Sequence, residues 1–207
     1  MGDERAGAPD TFRTAAGSGR AAFEIRGSEF VGRVRPVADR EAAEAFVAEV
    51  REKHADATHN VPAYRVRADG DLLREYGDDD GEPSGSAGKP ALNVLQQEGV
   101  ENVAAVVTRY YGGTNLGVGG LARAYSRGVK EALADAGIAE RRPREQFGVT
   151  VAYDDSGTVR GILESADAEF EATYEAEVSF AVTVPVAEAA GLRDRIRSAT
   201  SGRAEID

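Results

Sequence analysis

Two glycine-rich stretches lie close together in the middle of this chain: Asp79-Asp80-Gly81-Glu82-Pro83-Ser84-Gly85-Ser86-Ala87-Gly88-Lys89-Pro90 and Tyr110-Tyr111-Gly112-Gly113-Thr114-Asn115-Leu116-Gly117-Val118-Gly119-Gly120. Glycine loses more backbone entropy on folding than any other residue. A fold therefore concentrates it where φ must be positive or where another group approaches the backbone closely. Turns alone would need fewer. Between the stretches, residues 103–108 form an apolar, strand-like run, and after the second a helical pattern carries Arg123, Tyr125, Arg127 and Lys130. The expected local order is loop, helix, strand, loop, helix.

Charge sharpens this picture. The chain holds 36 Asp and Glu against 25 Lys and Arg, a net charge of -11, yet residues 102–130 contain no acid and four basic residues. In so acidic a protein, an acid-free run bearing three tyrosines reads as a surface reserved for an anion. The competing reading is a buried strand and helix with little room for acids, since buried parallel strands also appear as continuous apolar runs. Both stay open at this level.

At 207 residues the chain can hold one large or two small domains, and two are expected. The absence of cysteine excludes disulfides, thiolate metal sites and a cysteine nucleophile. No stretch is apolar enough to span a bilayer, and residues 1–10 lack the basic and apolar regions of a signal peptide, so a soluble cytoplasmic protein without a membrane partner is expected. Only Lys53, Lys89 and Lys130 are lysines, which together with the abundant acids suggests a halophile-type proteome. A GC-rich genome explains the scarcity of lysine equally well, though not the acidity.

Along the chain, residues 1–10 read as a mobile tail. A hairpin is expected over 21–26 and 30–37, then a helix over 40–54 capped by Asp39 with Ala42, Ala43, Phe46, Val47 and Val50 on its apolar face. A strand over 60–67 and an acidic loop over 69–82 follow. Lys89 or Pro90 opens a helix through Gln97, residues 102–109 form a strand, and a helix over 119–136 stops at Gly137. The polar, proline-bearing Arg141-Arg142-Pro143-Arg144 marks a domain boundary between residues 140 and 147. Beyond it, strands at 147–153, 168–174, 177–184 and 203–206 with helices at 156–165 and 187–200 give βαββαβ, the ferredoxin-like order. The fold class is thus α+β, with a first domain over 11–140 and a second over 147–207.

Phosphate-binding motifs match poorly. A Walker A loop ending at Gly88-Lys89 would need glycine at Pro83 and Ser or Thr at Pro90. Residues 117–122 satisfy G-x-G-x-x-A but stand apart from their strand. The physical content survives the loss of the label: glycines ahead of a helix expose N–H groups and a positive dipole end to an anion. A loop that only turns the chain and packs the helix is the alternative.

Catalytic constellations are sparse. His54 and His59 are the neutral bases; Ser84 and Ser86 lack a G-x-S-x-G setting and are expected to bond neighbouring backbone N–H groups. Asp78, Asp79, Asp80 and Glu82 read as a solvated acidic loop rather than a metal site, because Lys89 stands where an EF-hand needs an acid. No catalytic residue, metal or cofactor is expected. The binding constellation consists of Arg109, Tyr110, Tyr111, Arg123 and Tyr125 with Gly112, Gly113, Gly117, Gly119 and Gly120, since arginine with tyrosine suits phosphate contact plus base stacking. The alternative is core tyrosines with an arginine paired to Asp79, Asp80 or Glu82.

Both glycine-rich motifs, with Ser28-Glu29-Phe30-Val31-Gly32, Ala57-Thr58-His59-Asn60 and Ala63-Tyr64-Arg65 upstream, resemble the signature of the IMPACT/YigZ family over residues 11–138. Gly27 and Glu29 depart from the positive charge usual there. The remainder fits the small domain appended in prokaryotic members. The resemblance implies a first domain folded like domain two of ribosomal protein S5, a second like a domain of translation elongation factor G, and His59 at the head of a strand. It further implies a non-catalytic role near translation: eukaryotic relatives restrain the stress pathway that shuts down initiation by competing at a scaffold that activates a kinase. What carries over is binding of RNA, the ribosome or a translation factor through the glycine-rich face. The competing classes are an enzyme or binder acting on a phosphorylated metabolite or nucleotide, and an interaction module whose motif only shapes a rigid surface.

Overall fold

The computed structural model describes residues 11–67 and 72–207, so the expected tail over residues 1–10 lies outside the described residues. These divide into two compact units, Phe12–Arg141 and Arg142–Asp207.

In the first unit a five-stranded antiparallel sheet has the order β2-β3-β6-β4-β5, from β2 (Gly19–Ile25), β3 (Ser28–Pro36), β4 (His59–Arg67), β5 (Leu73–Gly77) and β6 (Val103–Tyr110). Helix α1 (Arg40–Lys53) covers one face; α2 (Gly88–Gln97) and α3 (Gly117–Ala136) cover the other. The side-chain period of two in a strand explains the apolar run of β6. Val103, Ala105 and Val107 pack with Leu95, Leu121 and Val129, whereas Ala104 and Val106 pack with Phe46, Val47 and Val50 of α1. The run therefore reflects a central strand buried on both faces of an antiparallel sheet, not the parallel strand it could have signalled.

Local chemistry sets the element ends. The Asp39 carboxylate accepts the Ala42 N–H at 2.8 Å, and Gly137, at φ 71°, ends α3. The acidic stretch expected to be loop instead forms β5, an edge strand whose Tyr76 stacks on Tyr64; solvent-facing Arg74 and Glu75 hide it from a hydrophobicity pattern. Residues 69–71 lie outside the described residues. A second difference is the small pair of β1 (Phe12–Ala15) with β7 (Ile138–Arg141), which carries strand structure into the expected linker.

The second unit runs β8 (Arg144–Val151), α4 (Tyr153–Ser165), β9 (Glu169–Tyr174), β10 (Val178–Pro185), α5 (Val186–Ala199) and β11 (Glu205–Ile206). Its sheet order, β11-β8-β10-β9, is the ferredoxin-like arrangement expected. Phe147, Val149, Phe180 and Val182 alternate inward against Val159, Leu163, Leu192 and Ile196. No helix among the described residues is long and apolar enough to cross a membrane.

Close approach of α3 to the sheet depends on paired glycines. A Cβ at Gly32 would lie 2.1 Å from the Gly128 carbonyl oxygen, an impossible contact with backbone. Gly32→Ala should therefore destabilise the first unit by about 2 kcal/mol or more. In contrast Gly157→Ala, in open space within α4, should stabilise the second unit by about 0.5–1 kcal/mol. Urea denaturation followed separately for each unit checks both signs.

Candidate functional site

The first glycine-rich motif, residues 79–90, is a loop organised by its own acids. Asp79 Oδ1 accepts the N–H groups of Ala87 and Gly88 at 2.9 and 2.8 Å, and Oδ2 that of Gly85 at 2.6 Å. Asp79 thus caps α2 from a distance, in place of Ala87, whose side chain has nothing to offer. Burial alone would raise the Asp79 pKa, but these three donors outweigh it and hold the carboxyl below the ordinary carboxylate range. Asp80 accepts from Arg51 at 2.8 Å and from the Asn60 N–H at 2.6 Å. These acids are occupied by structural bonds, and among the described residues no three His, Asp or Glu side chains converge to hold a metal ion.

Asp80 and Gly81 take positive φ, 47° and 87°, and the chain turns so that Glu82 points inward. Its side chain is 3% exposed, and Oε1 accepts both Arg109 Nη1 and Tyr125 Oη at 2.7 Å. A carboxylate this buried is tolerated only when paired and hydrogen-bonded, and here it has both. Burial and the neighbouring Glu82 raise the Tyr125 pKa, so its hydroxyl remains a donor. Arg109 Nη2 continues to Ser28 Oγ at 3.3 Å, and Ser28 Oγ also accepts the Gly112 N–H at 3.1 Å. One chain of bonds therefore joins the first motif, α3, β6, β3 and the second motif.

On the same face of the sheet His59 is paired in register with Arg109. His59 Nδ1 lies 2.7 Å from the Asp80 carbonyl oxygen, and Nε2 lies 3.9 Å from Glu82 Oε2. His59, Glu82, Arg109 and Tyr111 line a cleft of about 500 Å³ closed on its other side by Leu116, Gly117, Val118 and Leu121, at the start of α3. Tyr111 is 46% exposed; its N–H donates to Thr58 Oγ1 at 2.9 Å, its hydroxyl to Asn115 at 3.2 Å, and the Arg109 guanidinium lies 5.1 Å from its ring centre. Helix α3 has no side-chain cap and no acid in its first turn, so the N–H groups there are left to solvent or a ligand.

The structure divides the expected binding constellation. Arg109 and Tyr125 are buried partners of Glu82, which corrects their expected role in phosphate contact and base stacking: the tyrosine is fully buried, and the charge of the arginine is already matched. Tyr110 faces the opposite side of the sheet, where its hydroxyl meets His54 Nδ1 at 2.7 Å; strand alternation separates it from Arg109. Arg123 is exposed and reaches back over Gly119 at the first turn of α3, with no ionic partner among the described residues. Gly113, Gly117, Gly119 and Gly120 remain at the surface or half-buried, while Gly112 meets the turn at Gly27, where a Cβ would lie 1.9 Å from backbone. Among the described residues the two serines make none of the expected backbone bonds: Ser86 Oγ is buried without a partner there, Ser84 is exposed, and Asp79 takes the loop N–H groups instead. Ser28, Thr58 and Asn115 were not read as site residues, although the first two lie in upstream segments of the family signature.

The Asp79 geometry predicts a specific acid limb. Because its folded pKa is depressed, its stabilisation is present at and above the unfolded value of about 3.9 and is lost as pH falls through the folded value. Asp79→Asn should lower stability near pH 7 by about 0.5–2 kcal/mol, as for loss of a helix cap. The gap from the parent should narrow below pH 4 in thermal melts taken across pH.

Comparison with known proteins agrees with this architecture. Residues 26–133 match the model of the Impact N-terminal domain, and residues 149–203 that of a Domain of unknown function (DUF1949). The chain is 35% identical to "IMPACT family member YigZ" of Escherichia coli over 88% of this chain and 90% of the relative, and 34% identical to "IMPACT family member YvyE" of Bacillus subtilis over 95% and 90%. A solved structure described as that of a hypothetical protein superposes with a TM-score of 0.72 at 32% identity, covering 96% of this chain and 97% of the other. Mouse "Protein IMPACT" is 39% identical over 44% of this chain and 29% of its own length. With both domains matched in order and the glycine-rich motifs inside the first, this chain belongs to the IMPACT family.

Proposed function

We propose that this protein is a non-catalytic, translation-associated binding protein of the cytoplasm that holds RNA through the face formed by the second glycine-rich motif and the start of α3. The observation that carries the proposal is the uncapped, acid-free first turn of a 20-residue helix opening onto a cleft. Four orphan N–H groups and the positive dipole end favour phosphate there. Arg123, unpaired among the described residues, reaches back to Gly119 of that turn from the groove it shares with Ser126 and Arg127, and half-exposed Tyr111 adds a surface for a base. Membership of the IMPACT family supports a place in translation. Arg109 and Tyr125 serve this face indirectly, by fixing the loops that shape it.

A second reading, a phosphorylated metabolite or nucleotide as ligand, is favoured by the size of the cleft: about 500 Å³ lies within the range of roughly 300–1,000 Å³ typical of small-molecule sites.

Fluorescence anisotropy with a short single-stranded RNA, repeated across salt concentrations, tests the proposal, with ATP and AMP as competitors for the second reading. Arg123→Ala should flatten the plot of log affinity against log salt by about 0.7, one single-strand phosphate contact. Tyr111→Ala should weaken binding by about tenfold or more, the loss of one stacked base. Affinity and salt slope unchanged in both variants would overturn it.

A further inference from the structure

Glu82 Oε2 and, in the neutral imidazole, His59 Nε2 are two hydrogen-bond acceptors with no protein donor among the described residues, beside the start of α3. His59 Nδ1 lies 2.7 Å from the Asp80 carbonyl oxygen, and a carbonyl oxygen only accepts, so Nδ1 carries the hydrogen. In the neutral ring this leaves Nε2 with a lone pair. That lone pair lies 3.9 Å from Glu82 Oε2, too far for a direct hydrogen bond, and in the neutral ring neither atom has a hydrogen to give. Glu82 Oε1 already accepts from Arg109 and Tyr125, whereas Oε2 accepts from no donor among the described residues. The carboxylate side chain is 3% exposed, and both residues line the cleft that Gly117 and Val118 close. Oε2 is not sealed in the core, so a donor entering the cleft can reach it.

Two acceptors 3.9 Å apart can be bridged by one water, and they equally suit two donors held close together in one ligand that displaces it. A ligand ammonium could bridge them, but the Arg109 guanidinium beside Glu82 and the positive end of α3 both repel a cation. Neutral vicinal hydroxyls satisfy both acceptors without that repulsion. A ribose with free 2′- and 3′-hydroxyls offers such a pair, and its own phosphate would suit the N–H groups of α3.

We propose that Glu82 Oε2 and His59 Nε2 are a diol-reading site, which makes the ligand of this cleft a terminal ribose with both hydroxyls free, supplied by an RNA 3′ end or by a mononucleotide. This deepens the function proposed above and rests on it for the phosphate half of the ligand. The 2′-hydroxyl is also what separates RNA from DNA, so the pair gives the cleft a means of selection that phosphate contacts lack.

The test uses the full chain and a 5′-fluorescein ten-nucleotide RNA ending either in a free 2′,3′-diol or in a 2′,3′-dideoxynucleotide. AMP and 2′,3′-dideoxy-AMP serve as competitors and, titrated alone by isothermal calorimetry, as ligands in their own right. The diol end should bind about tenfold or more tightly than the dideoxy end, the effect of two lost hydrogen bonds to polar or charged acceptors. His59→Phe should abolish that preference while keeping the salt slope, and Glu82→Gln, checked for folding by circular dichroism, should reduce it. AMP competing with the same diol preference identifies a mononucleotide as a source; RNA binding without AMP competition identifies the RNA end. RNA that binds equally with either end overturns the diol site and leaves the RNA proposal standing. AMP binding with diol preference but no RNA binding upholds the diol site and overturns the RNA proposal. Binding of neither RNA nor AMP overturns both.

Discussion

The first unit is organised around one buried charge. Glu82 sits in a loop, Arg109 in the central strand and Tyr125 in the longest helix, and the three meet at 2.7 Å with little water access. A carboxylate removed from water without partners would be severely penalised. Each of the three elements therefore has to arrive in register for the others to be stable. Breaking such a pair on one side usually costs about 3–5 kcal/mol, because an uncompensated charge remains. The same constraint extends outward through Ser28 to Gly112, so the shape of the exposed cleft is inherited from a buried network.

The glycines serve two distinct physical purposes. Gly32 and Gly128 remove Cβ atoms where β3 and α3 touch, and Gly27 with Gly112 does the same where two loops cross. These are close-approach positions. Gly81 and Gly85, at φ 87° and 74°, supply backbone shapes that side chains disfavour, and Gly117, at φ 72°, does so where α3 begins, with open space around it. The exposed group at the start of α3 lies in an uncapped first turn of a long helix that lines a cleft, which is why the functional proposals concentrate there rather than across the whole motif.

Acidity had two meanings as well. In residues 78–82 the acids are internal fasteners: Asp79 caps α2, Asp80 binds the start of β4, and Glu82 holds Arg109. Most other acids are surface charge. A local excess of carboxylates, taken alone, suggests metal binding or solvation. Their geometry here assigns them to backbone N–H groups and one guanidinium, which are stronger claims on a carboxylate than bulk water.

Much of the fold was legible along the chain because its signals are local. The Asp39 cap, the Gly137 stop, the apolar face of α1 and the alternation of the ferredoxin-like strands each depend on residues within a few positions. The edge strand β5 and the β1–β7 pair were not legible, since short strands with polar outer faces lack periodicity and β1 finds its partner more than a hundred residues away. In the site, the sequence supplied the motifs and the residue types, and it left open whether arginine and tyrosine formed a surface or a core. It could not choose among Asp79, Asp80 and Glu82 as the partner of Arg109. That choice belongs to the tertiary structure, because Glu82 bonds to residues 27 and 43 positions away. Contacts at such separation form only after the loop, strand and helix have packed, and the positive φ of Asp80 and Gly81 then determines which acid turns inward.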